Sequence, residues 1–208
     1  ASCEKINYLE IKPEALNGLG RVKFYVGDMP AAEELFHSGL HYARLEEDPI
    51  MISLALNCIA NTVAEAHMAY ENTVSLLTES YEISEAAGDK LGAARALINL
   101  GVVAQERDEP EQAKGLFEQS LELYRRIGYQ YGIAAALKYL GNIALGQNNF
   151  QSAEALIQES IEMSIKNGDR RSESDCMRQM GNMARKQNHF VDALDYYSNA
   201  LAIAQSMG

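Results

Sequence analysis

A period of about forty residues runs through the chain and restricts its fold more than any other feature. Five segments begin with the same pattern of apolar and small residues, at Ala15, Ala55, Ala96, Ala136 and Cys176. Glycines mark the other end of the unit at intervals of 40 residues, at Gly88, Gly128, Gly168 and Gly208. A period of this length, repeated at both ends of a unit, predicts a repeat architecture in which each unit packs on its neighbours.

Each unit has the residue spacing of two helices. The first carries leucines three positions apart followed by a glycine, as in Leu97, Leu100 and Gly101. An alanine stands 12 residues after that glycine and begins a stripe with the period of an α-helix, seen in Ala113, Leu116, Phe117, Ser120 and Leu121. The pattern predicts roughly ten helices in antiparallel pairs, and therefore an all-α solenoid.

Four glycines inside the first helices need a packing reason, because glycine inside a helix costs about 1 kcal/mol of stability relative to alanine. We expect each glycine to let the backbones of two helices approach closely, with the glycine facing the alanine of the second helix. The predicted pairs are Gly20 with Ala32, Gly101 with Ala113, Gly141 with Ala153 and Gly181 with Ala193.

Turn residues divide the chain at regular points. Gly88-Asp89 and Gly168-Asp169 stand between units, where a left-handed glycine ends one helix and the aspartate caps the next. The predicted repeats span 13–48, 49–88, 89–128, 129–168 and 169–208, within a single domain over 1–208. Repeat two has Ala60 in place of the glycine, and we expect a longer first helix or an irregular turn near residues 70–72.

These motifs resemble the tetratricopeptide repeat, whose unit is a helix pair with small residues at the two crossing points. The second helix of that family begins with an Ala-x-x-x-aromatic run, which is present at 32–36, 113–117 and 193–197. The match is to a longer, forty-residue variety of the repeat. The resemblance implies a right-handed α-α superhelix of about five helix pairs, used to bind other proteins without catalysis.

The resemblance also implies a binding surface, because the first helices of such a superhelix line its concave groove. Two residues of each first helix point into the groove, just after the first leucine and just after the glycine. The expected binding residues are Asn17, Arg21, Asn57, Asn61, Lys138, Asn142, Arg178 and Asn182. Asparagine can hydrogen-bond a peptide backbone, whereas lysine and arginine bind carboxylates. The predicted partner is therefore a peptide or helix of another protein, with its acidic groups at repeats four and five.

Composition and motifs argue against other classes of function. The formal net charge of −11 disfavours direct binding to nucleic acid. No stretch approaches the roughly 18 apolar residues of a membrane span. His37 and His41 have a spacing that can hold a metal, but no further ligand motif accompanies them, so we assign them to a solvated helix face. We find no catalytic motif and predict a protein that is not an enzyme and has neither cofactor nor metal.

Two further expectations concern the compartment of the protein and its continuation beyond the 208 residues. Cys3, Cys58 and Cys176 suggest neither a disulfide framework nor a zinc site, which favours a reducing, cytoplasmic compartment. The chain begins at Ala1, and we expect it to be a fragment of a longer protein. Apolar residues on the last helix, such as Leu201, predict either a further repeat or end-to-end self-association.

An alternative function comes from a different class of protein. Long repeats of this kind are typical of regulatory regions in bacterial signal-transduction ATPases and transcription regulators. In such a protein the repeats would form a ligand- or peptide-sensing module that controls a domain elsewhere in the chain. An adjoining nucleotide-binding or helix-turn-helix region in the full-length protein would favour this alternative over the scaffold.

Overall fold

The computed structural model describes residues 13–67 and 70–207, except for the side chains of 65–67. These residues form ten α-helices and no strand: α1 Pro13–Val26, α2 Met29–Leu45, α3 Pro49–His67, α4 Tyr70–Ala87, α5 Lys90–Glu106, α6 Pro110–Ile127, α7 Gln130–Gly146, α8 Phe150–Asn167, α9 Arg170–Lys186 and α10 Phe190–Gln205. Odd-numbered helices are the first helices of the pairs, and even-numbered helices are the second. The 19 residues of α3 confirm the longer first helix predicted for repeat two.

The chain divides into two compact units, Ala1–Val103 and Ala104–Gly208. In unit one, α1 packs on α2, α2 on α3, and α3 on α4. In unit two, α7 packs on α8, α8 on α9, and α9 on α10. First helices also contact each other, α1 with α3 and α7 with α9. Each unit therefore stacks its helix pairs so that neighbouring first helices share one surface.

The helix ends have the geometry that the turn residues predict. Gly88, Gly128 and Gly168 adopt left-handed backbone angles with φ near +70°, where glycine avoids the Cβ clash of other residues. The carboxylate of Asp169 accepts a hydrogen bond from the backbone N–H of Ser172 at 3.1 Å, which caps α9. The predicted boundary at Gly208 lies outside the described residues.

The glycines of the first helices do make room for the partner helix, but not for the predicted alanine. A Cβ atom added to Gly20 would lie 2.6 Å from the ring of Phe36, and one added to Gly141 would lie 2.6 Å from Cγ1 of Ile157. Gly181 has the same relation to Tyr197. The glycine therefore accommodates the large residue one helical turn after the alanine, which corrects the predicted pairing.

Buried serines tie the helices of a pair together. Ser80 Oγ donates a hydrogen bond to the backbone carbonyl of Ser53 at 2.8 Å, and Ser160 Oγ donates to the equivalent carbonyl of α7 at 2.8 Å. Repeat five has Ala200 at the serine position, and there Ser174 of the first helix donates to the Ala200 carbonyl at 2.8 Å. The link persists because either helix can supply the donor, and it satisfies polar groups that burial would otherwise leave unpaired.

The apolar core follows the contact between each second helix and the next first helix. In unit one, Phe36 and Leu40 of α2 pack in one cluster with Ile59 of α3. In unit two, Ile161 of α8 packs in one cluster with residues of α9 that include Met180. This repeated contact buries the apolar stripes and leaves the polar positions of the first helices to form the surface described next.

Candidate functional site

Adjacent first helices in each unit form a surface that we call the first-helix face. It comprises α1 and α3 in unit one, and α7 and α9 in unit two. The residues expected to bind a partner lie on these four helices. Their environments differ, and they divide into a charged group in unit two, a hollow in unit one, and two buried asparagines.

The charged group links α7 to α9. Lys138 Nζ lies 3.3 Å from Oδ2 of Asp175, and the guanidinium of Arg178 lies 3.4 Å from Oδ1 of the same carboxylate. Lys138 Nζ also lies 5.4 Å from the centre of the Tyr139 ring, a cation–π contact. The Lys138 side chain is mostly buried, whereas the Arg178 side chain is exposed. Two cations share one carboxylate, so the group carries a net positive charge.

Two amides stand one helical turn beyond these cations. Asn142 and Asn182 are both half-buried, and the hydroxyl of Tyr197 donates a hydrogen bond to Oδ1 of Asn182 at 2.8 Å. This bond holds the Asn182 amide in one orientation. Within residues 13–67 and 70–207, no group is hydrogen-bonded to the side chain of Asn142. The amide of Asn142 is therefore available to a backbone N–H or C=O of a partner.

A hollow between α1 and α3 contains the corresponding residues of unit one. Arg21 and Asn61 line it, together with Phe24, Tyr25 and Cys58, and Phe36 of α2 also contributes. Arg21 and Asn61 are exposed, as expected of residues on a binding surface. The hollow combines aromatic walls with one cation and one amide, which suits a partner side chain that has both apolar and acidic parts.

Asn17 and Asn57 are buried, which corrects the expectation that they line an open groove. Asn57 Nδ2 donates to Ser80 Oγ and to the backbone carbonyl of Ser53, and its Oδ1 accepts a hydrogen bond from Asn99 Nδ2 at 3.1 Å. The Asn57 amide thus joins α3, α4 and α5 within unit one. The hydrogen-bond partner Ser80 is a buried residue of α4 that lies 23 residues after Asn57 in the chain, and the amide of Asn57 is buried with it.

The buried amide of Asn17 occupies a different environment. Repeat one has Gly39 at the position that Ser80 holds in repeat two. A Cβ atom added to Gly39 would lie 2.8 Å from Oδ1 of Asn17. Glycine at this position therefore provides the space for the Asn17 amide, and neither residue contributes to the accessible first-helix face.

Both described cysteines are shielded thiols. Burial raises the pKa of Cys58 from near 9 to about 11, although the positive charges of Arg21 and Arg95 lower it in part. Burial also raises the pKa of Cys176, and a hydrogen bond with Ser160 opposes that rise. A thiol is reactive as its thiolate, so neither cysteine has the electrostatic environment of a nucleophile.

The two histidines with metal-like spacing lie apart from these groups. His37 and His41 are exposed on α2, and His37 Nε2 lies 3.9 Å from a carboxylate oxygen of Glu33. Over residues 13–67 and 70–207, no three His, Cys, Asp or Glu side chains come together as metal ligands would. The polar residues of the first-helix face therefore remain the candidate site.

A family model decides the classification of the chain. The model of the tetratricopeptide repeat matches residues 51–126 and 132–206. The chain belongs to the tetratricopeptide repeat family. This result confirms the resemblance and the prediction of an all-α helical repeat fold. A comparison with curated protein sequences found no match.

Solved structures of tetratricopeptide repeat and related proteins have a similar fold. BtubC (BKLC) from P. vanneervenii has a TM-score of 0.73 and 18% identity, covering 93% of this chain and 80% of that one. A STAND protein with a tetratricopeptide repeat sensor, from Pyrococcus horikoshii, has a TM-score of 0.76 and 18% identity, covering 92% of this chain and 29% of that one. A Rap protein complexed with Competence and Sporulation Factor has a TM-score of 0.69 and 12% identity, and the match covers 98% of this chain and 66% of that one. Identities this low show a common fold alone.

The tetratricopeptide repeat fold indicates a protein-interaction scaffold. None of the helices in the described part of the chain has the length and apolar character required to cross a membrane. The geometry of the first-helix face therefore bears on what kind of partner this tetratricopeptide repeat scaffold binds.

Proposed function

We propose that the chain binds an acidic segment of a partner protein on the first-helix face of unit two, without catalysing a reaction. The observation that carries this proposal is the group in which Lys138 and Arg178 share the single carboxylate of Asp175. A second negative charge would neutralise the group, and a carboxylate of the partner supplies it. The Lys138 side chain is mostly buried, so an ion pair with that carboxylate is less screened than one at a fully exposed lysine.

The amides extend the same surface toward the backbone of the bound segment. Asn142 can donate to a carbonyl and accept from an N–H, while Asn182 is held in one orientation by Tyr197. A pre-oriented amide loses less conformational entropy when it binds. The cations therefore select acidic side chains, and the amides bind the main chain regardless of sequence.

The hollow of unit one provides a second contact. Arg21 and Asn61 repeat the combination of one cation and one amide, beside the rings of Phe24 and Tyr25. We propose that it receives an anchoring side chain, since interface energy is concentrated in residues that fill pockets. Each unit thus binds its own part of the partner.

A random peptide library displayed on phage tests this proposal, because the library samples acidic, basic and neutral segments alike. Peptides selected on the 208-residue chain should be enriched in Asp and Glu. Their affinity, measured by fluorescence anisotropy, should fall by a factor of roughly 10² in the double variant Lys138→Ala, Asn142→Ala, because it loses one charged and one neutral hydrogen bond.

The matched control changes the same residue types on second helices. Lys114 and Asn199 are exposed on α6 and α10. The double variant Lys114→Ala, Asn199→Ala should bind the selected peptides as the wild type does. If the peptides show no acidic enrichment, or bind the Lys138→Ala, Asn142→Ala variant with wild-type affinity, the first-helix face of unit two is not the recognition surface.

A further inference from the structure

Helices α10 and α1 each expose one half of the contact that joins neighbouring repeats inside the chain. In that contact, a second helix packs on the first helix of the next repeat. Leu201 of α10 stands 40 residues after Ile161 of α8, at the same position of the repeat. Ile161 is 3% exposed because α9 covers it, whereas Leu201 is 58% exposed. Helix α10 therefore presents its stacking residue to solvent.

The first helix of repeat one exposes the complementary half. Cys176 and Ala15 begin equivalent segments, so Met180 and Met183 of α9 correspond to Leu19 and Val22 of α1. Met180 and Met183 pack against α8 and are 3% and 5% exposed. Leu19 and Val22 are 46% and 57% exposed. The exposed residues of α1 are thus the type that the stacking contact buries elsewhere in the chain.

The charges of Arg178 on α9 and Glu14 on α1 are complementary. Within unit two, Lys138 of one first helix pairs with Asp175 of the next. Arg178 occupies the position of Lys138 one repeat later, and Glu14 of α1 occupies the position of Asp175. Both Arg178 and Glu14 are exposed. If α1 of another copy followed α10, Arg178 and Glu14 would form the equivalent of the Lys138–Asp175 ion pair.

We propose that copies of this chain associate head to tail, with α10 of one copy packed on α1 of the next through Leu201, Leu19 and Val22. The contact continues the internal stacking interface and adds the Arg178–Glu14 pair at its edge. It goes beyond the proposed peptide binding, with which it shares Arg178 of the first-helix face. Such a contact is heterologous, since each copy contributes a different surface, and it produces open chains or rings of copies.

Two complementary variants separate this arrangement from any symmetric dimer. Leu201→Asp blocks the α10 side, and Val22→Asp blocks the α1 side. In sedimentation velocity, the wild type should gain mass with concentration, whereas each variant alone should remain a monomer. An equimolar mixture of the two variants should form a 1:1 heterodimer, because each retains the surface that the other lacks. Circular dichroism should show unchanged melting, since both substituted residues are exposed.

A single-substitution control and a charge test in the two blocked chains accompany this experiment. Leu194→Asp changes an exposed leucine of α10 at the position where α8 has the exposed Glu154, so it should associate as the wild type does. Adding Arg178→Glu to the Val22→Asp chain should weaken the heterodimer about fivefold, the upper end for an exposed ion pair. Adding Glu14→Arg to the Leu201→Asp chain as well should restore it.

Three results would overturn the proposal. The first is a wild type that stays monomeric up to about 1 mM, where association is worth only about 4 kcal/mol. The second is a single variant that still self-associates, which would indicate a symmetric contact. The third is a mixture of the two variants that remains monomeric although both are folded.

Discussion

The same position of the repeat supports two different functions in the two units. Asn57 of unit one and Lys138 of unit two both follow the first leucine-type residue of a first helix. Asn57 is buried and joins three helices through hydrogen bonds with Ser80, Ser53 and Asn99. Lys138 instead reaches across the first-helix face to Asp175 on the neighbouring first helix. Repeat spacing fixes the starting point of the side chain, and its neighbours then decide whether it stabilises the interior or the surface.

The contrast between these positions separates residues that stabilise a unit from residues that can bind a partner. A buried amide whose partners are all internal stabilises a unit but has no capacity left for a ligand. A charged group with an excess of one sign contributes little to stability and retains the capacity to bind. Four predictions test this division, in order of decreasing effect.

Placing lysine at the buried position of Asn57 should strongly destabilise unit one. In Asn57→Lys, an ammonium would replace an amide that has three hydrogen-bond partners. An uncompensated buried charge costs about 3–5 kcal/mol. We expect a loss of that size in urea unfolding followed by circular dichroism. A variant as stable as the wild type would show that the position is open to solvent, as Lys138 is in part.

The glycine crossing should be equally sensitive in both units, unlike the polar positions. Gly141→Leu forces a side chain into the space that Ile157 occupies, and overpacking of this kind costs about 1–3 kcal/mol. Gly20→Leu meets Phe36 in the same way and should lose a similar amount. The control is Gly146→Leu, since a Cβ there has no atom within 4 Å. Equal thermal melts for Gly141→Leu and Gly146→Leu would contradict the close crossing.

The thiol of Cys58, which follows Asn57 in the sequence, should lose its proton only near pH 11. The pKa of Cys58 is about 11 when folded and near 9 when unfolded. The folded state therefore holds this proton more tightly, and its stabilising contribution is present below pH 9 and is lost as the pH rises toward 11. Alkylation of Cys58 by iodoacetamide, followed by peptide mapping, should be slow at about pH 8 and should accelerate above about pH 9.

Arg21→Gln provides the matched variant for this titration. The charge of Arg21 lowers the pKa of Cys58, so its removal should move the onset of alkylation to higher pH. Alkylation at about pH 8 as rapid as that of a free cysteine would contradict the shielding of this thiol.

The smallest effect is expected from the reciprocal exchange in unit two. Lys138→Asn removes the contact with Asp175 but leaves Arg178 to pair with that carboxylate. Asp175 is partly exposed and keeps Arg178 as its partner, so the substitution leaves no unpaired buried charge and the melting curve should change little. A loss as large as that of Asn57→Lys would show that Lys138 is a structural residue, and the contrast between the units would disappear.

Local features of the fold were predictable from the sequence because they depend on neighbouring residues. Gly88 and Gly168 mark helix ends because glycine, which has no Cβ atom, is the residue that most readily adopts left-handed backbone angles. The facing of Gly20 toward Phe36, one turn beyond the predicted Ala32, depends on how two helices are rotated about their axes. A linear pattern does not contain that rotation.

The candidate site was predictable only in part, for a related physical reason. Lys138 and Asn142 could be placed on the first-helix face because repeat position sets the direction of a side chain. The burial of Asn57 depends on Ser80, which lies in another helix and 23 residues away. The recurring serine in the stripe of the second helices was the signal for this network, since a polar residue on a buried stripe requires a partner.

Chemical-shift mapping by NMR is the sharpest test of binding on the first-helix face, because it locates the bound segment without any mutation. An acidic peptide selected from the phage library is titrated into the isotope-labelled 208-residue chain. We expect the largest shifts in unit two to fall on α7 and α9, at Lys138, Asn142, Arg178 and Asn182, with the second helices little changed. Shifts concentrated on the second helices α8 and α10, with these four residues unaffected, would show that the partner binds elsewhere.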